Sequence, residues 1–213
     1  MNSVFAHTRY EFVSIALHPE QLLLLMGTPI ATLLVLQNHK NSLGLALAIC
    51  IMASNFTSIA INTAFARRYG TLKYLVVSPL GKTGIWVSQF LVGCLALLIQ
   101  LPILLIGAKY FDFSFQLNFA IVFEIPLLIA FCSSLAFLFS TIMSAEKVLA
   151  LANVFFIAVA GSGIYWQENE FAKFHPLAGV LATGTDAVMY ISIYILAVLA
   201  IVYVNVKRFR WID

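Results

Sequence analysis

The sequence predicts an all-α integral membrane protein, and three observations carry that prediction. Of the 213 residues, 62% are hydrophobic and 10% charged. A soluble domain of this size carries roughly 25% charged residues to face water. The mean hydropathy is +0.98. The apolar residues form long continuous runs instead of alternating with period two, which argues for helices and against the strands of a barrel. At roughly 20 apolar residues per crossing, the chain holds about six spans and leaves no room for a soluble catalytic domain. We therefore treat residues 1–213 as one transmembrane domain.

Six spans are expected. The first, 22–37, is short and carries Pro29; the second is 43–65. The third, 84–107, has Pro102 near one end, and the fourth, 117–143, contains Pro126 and is long enough to tilt. The fifth is 148–166 and the sixth 187–206. The three prolines are tolerable because packed neighbours can satisfy a freed carbonyl. The even number of spans puts Arg9, Arg67, Arg68, Lys73, Lys82, Lys147, Lys207, Arg208 and Arg210 on one side, and Lys40, Lys109 and Lys173 on the other. Nine against three places both termini in the cytoplasm. No cleaved signal peptide is expected, because the first apolar run follows a mixed polar segment. Cys50, Cys94 and Cys132 each sit inside an apolar run and read as small packing residues, not disulfide partners.

Residues 1–20 precede the first span. Within them, 4–20 mixes Phe5, Phe12, Val13, Ile15 and Leu17 with Arg9, Glu11 and His18. That is too polar to span; it suits an interfacial helix or, alternatively, a tail. The loop 66–83 holds four basic residues and no acid, and its middle, 72–77, is apolar but too short to cross. Such a stretch buries its face against lipid or against a partner protein.

Several short matches to catalytic motifs fail. Gly81-Lys82-Thr83 lacks the glycine five residues earlier, where Val76 stands, and no core strand precedes it. Lys82-Thr83-Gly84 and Ser144-x-x-Lys147 occur in the wrong order for an acyl-enzyme and lack its third element. Asn55-Phe56-Thr57 is a glycosylation sequon inside a span. His7, His18, His39 and His175 read as scattered among separate loops, with no shared metal or catalytic centre.

Polar residues within spans are informative because lipid makes them costly. Asn55 and Asn62, seven apart, share a face of the second span with Ser58, beside Thr63. They read either as helix-to-helix hydrogen bonds or as the lining of a substrate path. Glu124 is the one carboxylate inside an apolar run, about 10 Å into the fourth span. An ionised carboxylate there has to face a cavity or a partner, which makes Glu124 either a proton or substrate site or a structural bond.

The run RRYGTLKYLVVSPL at 67–80 resembles the cytoplasmic loop of the ABC type-2 permease family: a charged pair, Gly-Thr-Leu, an apolar stretch, then Ser-Pro-Leu. Further similarities follow in order. They are the polar turn Ser144-Ala145-Glu146-Lys147 leading to Leu151-Ala152-Asn153, then Gly161-Ser162-Gly163 with Tyr165 and Trp166, then His175-Pro176-Leu177, and finally the basic-aromatic end from Lys207 to Trp211. Arg68 and Lys73 stand where many members have acidic residues, and the family's arginine shortly after the Pro-Leu pair is missing.

The resemblance implies a six-span exporter subunit in the plasma membrane of a bacterial or archaeal cell. It implies a second permease subunit, identical or related, and a cytoplasmic ABC ATPase that holds the ATP and Mg, with no cofactor on this chain and no nucleic-acid partner. It implies that loop 66–83 carries a coupling helix, with Arg68, Thr71, Leu72, Lys73, Tyr74, Leu75, Val76 and Pro79 as ATPase-coupling residues. It also implies short re-entrant helices in the outer segment 167–186. Two other classes compete. A membrane-embedded enzyme needs His, Asp, Glu or Ser gathered at one membrane face, and only isolated ones occur. The other is a non-catalytic assembly factor or channel-like protein.

Overall fold

The computed structural model describes residues 2–37, 43–113, 121–144, 146–148, 150–151, 154 and 185–208. Among these, all regular secondary structure is helical. The elements are α1 (Asn2–Leu17), α2 (Pro19–Leu36), α3 (Leu43–Arg68), α4 (Thr71–Val77), α5 (Gly81–Tyr110), α6 (Ile121–Ile142) and α7 (Thr185–Arg208). Four of them, α3, α5, α6 and α7, are long and apolar enough to cross a membrane, and α1 with α2 make a fifth candidate across a sharp bend. These match the expected second, third, fourth and sixth spans, and α2 matches the first. The fifth expected span and the outer segment 167–186 lie almost wholly outside the described residues.

The bend between α1 and α2 is 93°, and its cause is local. A residue before proline is pushed out of the helical region by the ring. His18, before Pro19, is extended at φ −97°, ψ 106°. Its backbone N–H still donates to the Ser14 and Ile15 carbonyls, so α1 ends there and α2 restarts with proline at its first turn, where no donor is lost. The segment 4–20 thus forms a helix of its own up to Leu17, packed on the first turns of α5 through Thr8 and Ser88 and through Ile15 and Val92. It turns Phe5, Val13 and Leu17 outward, four- and eight-residue spacings that put them on one stripe.

Helix α3 is the hub. It is 88% buried over its most apolar stretch, against 17% for α7. It runs antiparallel to α5 and α2 and parallel to α6, with Phe56 edge-on to Phe139. One face of α5 is buried throughout: Ile85, Gln89, Val92, Gly93, Ala96, Gln100 and Leu104. Outside this core, α7 exposes Val188, Met189, Ile193, Leu196 and Leu199, and α5 exposes Leu98 and Ile106. Such a surface is what hydrocarbon solvates and water does not.

Helices α6 and α7 run parallel. Tyr190 and Tyr194 join the cluster of Leu128 and Cys132 near one end, and Asn205 Nδ2 donates to the Ser134 carbonyl, 3.1 Å away, towards the other. The connection between them therefore begins and ends at opposite ends of the bundle. The three cysteines are free, two of them buried, as their apolar setting predicts.

Gly93 sets how closely α3, α5 and α6 approach. A Cβ there would overlap Asn55 Oδ1 and Ile129 Cγ2. Replacing Gly93 with Ala is expected to cost about 1–3 kcal/mol, the usual range for overpacking. Thermal unfolding of the detergent-solubilised protein checks this, and an unchanged midpoint would show that the helices part freely.

Candidate functional site

The candidate site lies where α1, the start of α2, the last turns of α3, and α4 meet. Helix α3 continues past the expected end at Phe65 and carries Arg67 and Arg68 in its last turn, where positive charge complements the helix dipole. Arg67 Nη1 donates to the carbonyls of Ser140 and Met143 at 3.2 and 3.3 Å, capping the end of α6. Arg68 pairs with Glu146 at 2.6 Å on the surface. There the Glu146 carboxyl is held below its ordinary value, first by a backbone hydrogen bond and then by Arg68.

Between α3 and α5 the chain reverses through two left-handed residues, Gly70 at φ 74° and Gly81 at φ 64°. A side chain at either would be strained. Thr71 Oγ1 donates to the Ala66 carbonyl at 2.9 Å, and the Ser78 hydroxyl accepts from the Leu80 N–H, so both ends of α4 are tied. The seven residues of α4 divide by face. Leu75 and Val76 are half-buried and pack on Leu80, Ile85, Phe137 and Val4. Tyr74 and Val77 are 76% and 77% exposed, and Thr71, Lys73 and Pro79 are exposed with them. The Leu72 side chain lies outside the description. The residues assigned to coupling therefore do not share one face.

Beside α4 is a cavity of about 840 Å³ between α1, the start of α2, the end of α3, and α4. Tyr10, Glu11 and Gln21 line it on one side, and Phe65, Tyr69 and Tyr74 on the other. Gln21 Nε2 donates to Asn62 Oδ1 at 3.1 Å, while Gln21 Oε1 is buried with no hydrogen-bond partner. Glu11 is half-buried, with His7 Nε2 3.7 Å from its carboxylate. Burial pushes the Glu11 carboxyl up and the His7 imidazole down from their ordinary values. The expectation that the histidines scatter among loops is corrected here. His7 is inside α1, His18 caps α2, and both border this cavity; His39 and His175 are outside the described residues. Periodicity on α1 brings His7, Tyr10, Glu11 and Ser14 to one face, but the sequence does not show what that face meets.

Deeper in the bundle, the polar residues on α3 meet other helices. Gln89 Nε2 on α5 donates to Thr63 Oγ1. The Ser54 hydroxyl lies 2.7 Å from the Cys50 carbonyl and 3.1 Å from Gln100 Oε1, and can give its proton to either. Gln100 Nε2 in turn donates to the Leu25 carbonyl on α2 at 3.0 Å. Asn62 accepts from Gln21, and Asn55 is pinned against Gly93 with its Nδ2 lacking a partner. Gln89 and Gln100 went unread in the sequence, although their spacing of eleven, three turns, puts them on one face.

Glu124, in the first turn of α6, is 1% exposed and neither carboxylate oxygen has a hydrogen-bond partner. Tyr194 on α7 lies within electrostatic range, and its hydroxyl is also buried without a partner. Glu124 is therefore not brought together with Asn55 and Asn62. Among the described residues no group of three or more His, Cys, Asp or Glu could hold a metal. No family model, no curated protein and no solved structure matches this chain.

The histidine gives a pH dependence with a definite sign. With its folded pKa below the ordinary 6.5, His7 takes up a proton more readily in the unfolded chain, so stability falls as pH drops below that value. Glu11, raised, acts oppositely as pH falls towards its own ordinary range. The His7→Gln variant is expected to lose the first effect. Melting midpoints of both proteins between about pH 8 and pH 6 should diverge at the acid end; parallel curves would refute the assignment.

Proposed function

We propose that this chain is the membrane-spanning permease subunit of an ATP-driven exporter of the ABC type-2 kind, paired with a second permease subunit and driven by a separate cytoplasmic ATPase. One observation carries the reading. Helix α4 is a short helix tied down by Gly70 and Gly81, anchored inward through Leu75 and Val76, and left with a basic and apolar outer face. A face of that kind has to be covered by lipid or by protein. The ordered motif resemblance names the protein: a nucleotide-binding subunit whose closure rocks the permease halves as rigid bodies.

The topology agrees with this reading. Helix α1, helix α4 and the end of α7 share one end of the bundle, and nine of twelve Lys and Arg residues fall on that side when six spans are drawn. That side is the cytoplasm by the positive-inside rule. In this reading 148–166 is the fifth of six crossings, and the parallel course of α6 and α7 supports it. Residues 167–186 then lie outside as short re-entrant helices, and α1 rests in the inner interface. In this reading Arg68, Thr71, Lys73, Tyr74 and Val77 meet the ATPase, Leu75 and Val76 hold the helix to the permease body, and Glu124 faces the substrate path.

The decisive experiment is co-purification with the ABC ATPase encoded by a neighbouring gene. Tyr74→Asp is expected to abolish permease-stimulated ATP hydrolysis while leaving the melting temperature of the permease alone unchanged. Full stimulation in that variant would sink the coupling assignment. A charge at Leu75 is a poorer probe, because it would also be buried against Leu80 and Ile85.

Glu124 gives an independent test. Its Gln variant keeps the shape and removes the charge, so transport in reconstituted vesicles should lose its pH dependence if Glu124 belongs to the path. Identical pH profiles for the two proteins would leave Glu124 a structural residue.

A further inference from the structure

We propose that the cavity between α1, α3 and α4 is a binding site for an organic ammonium group. This inference does not depend on the transport reading, since it concerns equilibrium binding to this chain alone. Three features of the cavity converge on that chemistry. Its walls are aromatic: Tyr10, Tyr69 and Tyr74 line it and are 70–76% exposed, with Phe65 stacked on Tyr69 at 6.1 Å. Rings with unoccupied faces attract cations, quaternary ammonium above all.

The second feature is charge. Among the described residues that line the cavity there is one carboxylate, Glu11, and no lysine or arginine. His7 Nε2 lies 3.7 Å from the Glu11 carboxylate, and burial disfavours the charged form of both. The third is polarity: Gln21 and Asn62, hydrogen-bonded to each other at 3.1 Å, line the cavity together with Ser14 and Thr71, so its wall beside Glu11 is not hydrocarbon.

The size argues for an organic cation over a metal ion. About 840 Å³ falls in the range of small-molecule pockets, roughly 300–1,000 Å³, and a single carboxylate does not make a metal cage. Position narrows the source. The cavity is lined by one face of α1, while Phe5, Val13 and Leu17 are exposed elsewhere on the same helix. An ammonium there arrives either on a phospholipid headgroup or on a free amphipathic cation.

The test uses the full chain in nanodiscs of phosphatidylglycerol, a lipid without an ammonium group. The probe is radiolabelled benzyltrimethylammonium, with its uncharged carbon isostere as the control. Saturable binding of the cation and none of the isostere is expected. Affinity should fall about tenfold in Glu11→Gln, for loss of a charged contact. It should fall roughly two- to fivefold in Tyr10→Ala and be retained in Tyr10→Phe, as a ring-face contact requires. Repeating the titration in discs containing phosphatidylcholine separates the sources. Competition assigns the site to the lipid headgroup, and its absence to free cations; both support an ammonium site. Equal binding of the isostere, or undiminished affinity in folded Glu11→Gln and Tyr10→Ala, overturns the proposal.

Discussion

A polar side chain buried among apolar helices finds its partner within the protein, on a carbonyl of its own helix or on a polar group of another. The rest of this structure depends on that constraint as it acts on α3. Apolar burial cannot specify how such helices align, because lipid solvates leucine as well as another leucine does. Alignment comes from close packing and from hydrogen bonds, each worth about 0.6 kcal/mol on average. Along α3, Thr63 meets Gln89, Asn55 meets the gap at Gly93, and Ser54 meets Gln100. Three contacts in one register leave α3 and α5 little freedom to slide. Gln100 then reaches on to the Leu25 carbonyl and brings α2 into the same arrangement.

With that register set, the chain ends of the helices fall where they can be used. Arg67 arrives beside the last carbonyls of α6 and satisfies two of them, which an α-helix cannot do for itself. The same register puts the start of α5 close enough to the end of α3 that the chain between them must turn twice within about ten residues. Glycines at 70 and 81 take the two left-handed positions, and α4 is the rigid piece held between them. Its inward face closes the small cluster of Leu80, Ile85 and Phe137. Its outward face is left to whatever lies beyond the bundle.

The corner at His18 and Pro19 does for the N-terminus what the two glycines do for α4. It turns α1 away from the line of α2 and onto the first turns of α5, where Thr8 Oγ1 donates to Ser88 Oγ at 3.1 Å and Gly84 packs near Val4. The space between α1, the end of α3 and α4 is not filled by side chains from any of them. The aromatic and acidic residues that face it are therefore available to a ligand.

Much of the fold follows from the sequence by physics that acts locally. Composition and run length identify the helices and their approximate limits, since crossing hydrocarbon demands about 20 apolar residues whatever their neighbours are. Proline at 19 and the glycines at 70 and 81 mark the breaks, because backbone sterics are set within a residue or two. Three matters were decided only by tertiary structure. Leu75 and Val76 turn inward while Tyr74 and Val77 turn outward, because the body of the protein, not the heptapeptide, chooses which side of α4 is buried. Asn62 bonds to Gln21, Thr63 to Gln89 and Ser54 to Gln100, while Asn55 packs against Gly93 and Glu124 bonds to neither asparagine, because a side chain's partner across a bundle depends on register. His7 and Glu11 border a cavity with Gln21 and three tyrosines because two stretches distant in sequence, 7–21 and 62–75, converge there. The sequence by itself determined which stretches become helices and where they break; packing decided which faces meet, because hydrophobicity selects helices as apolar as these without selecting their partners.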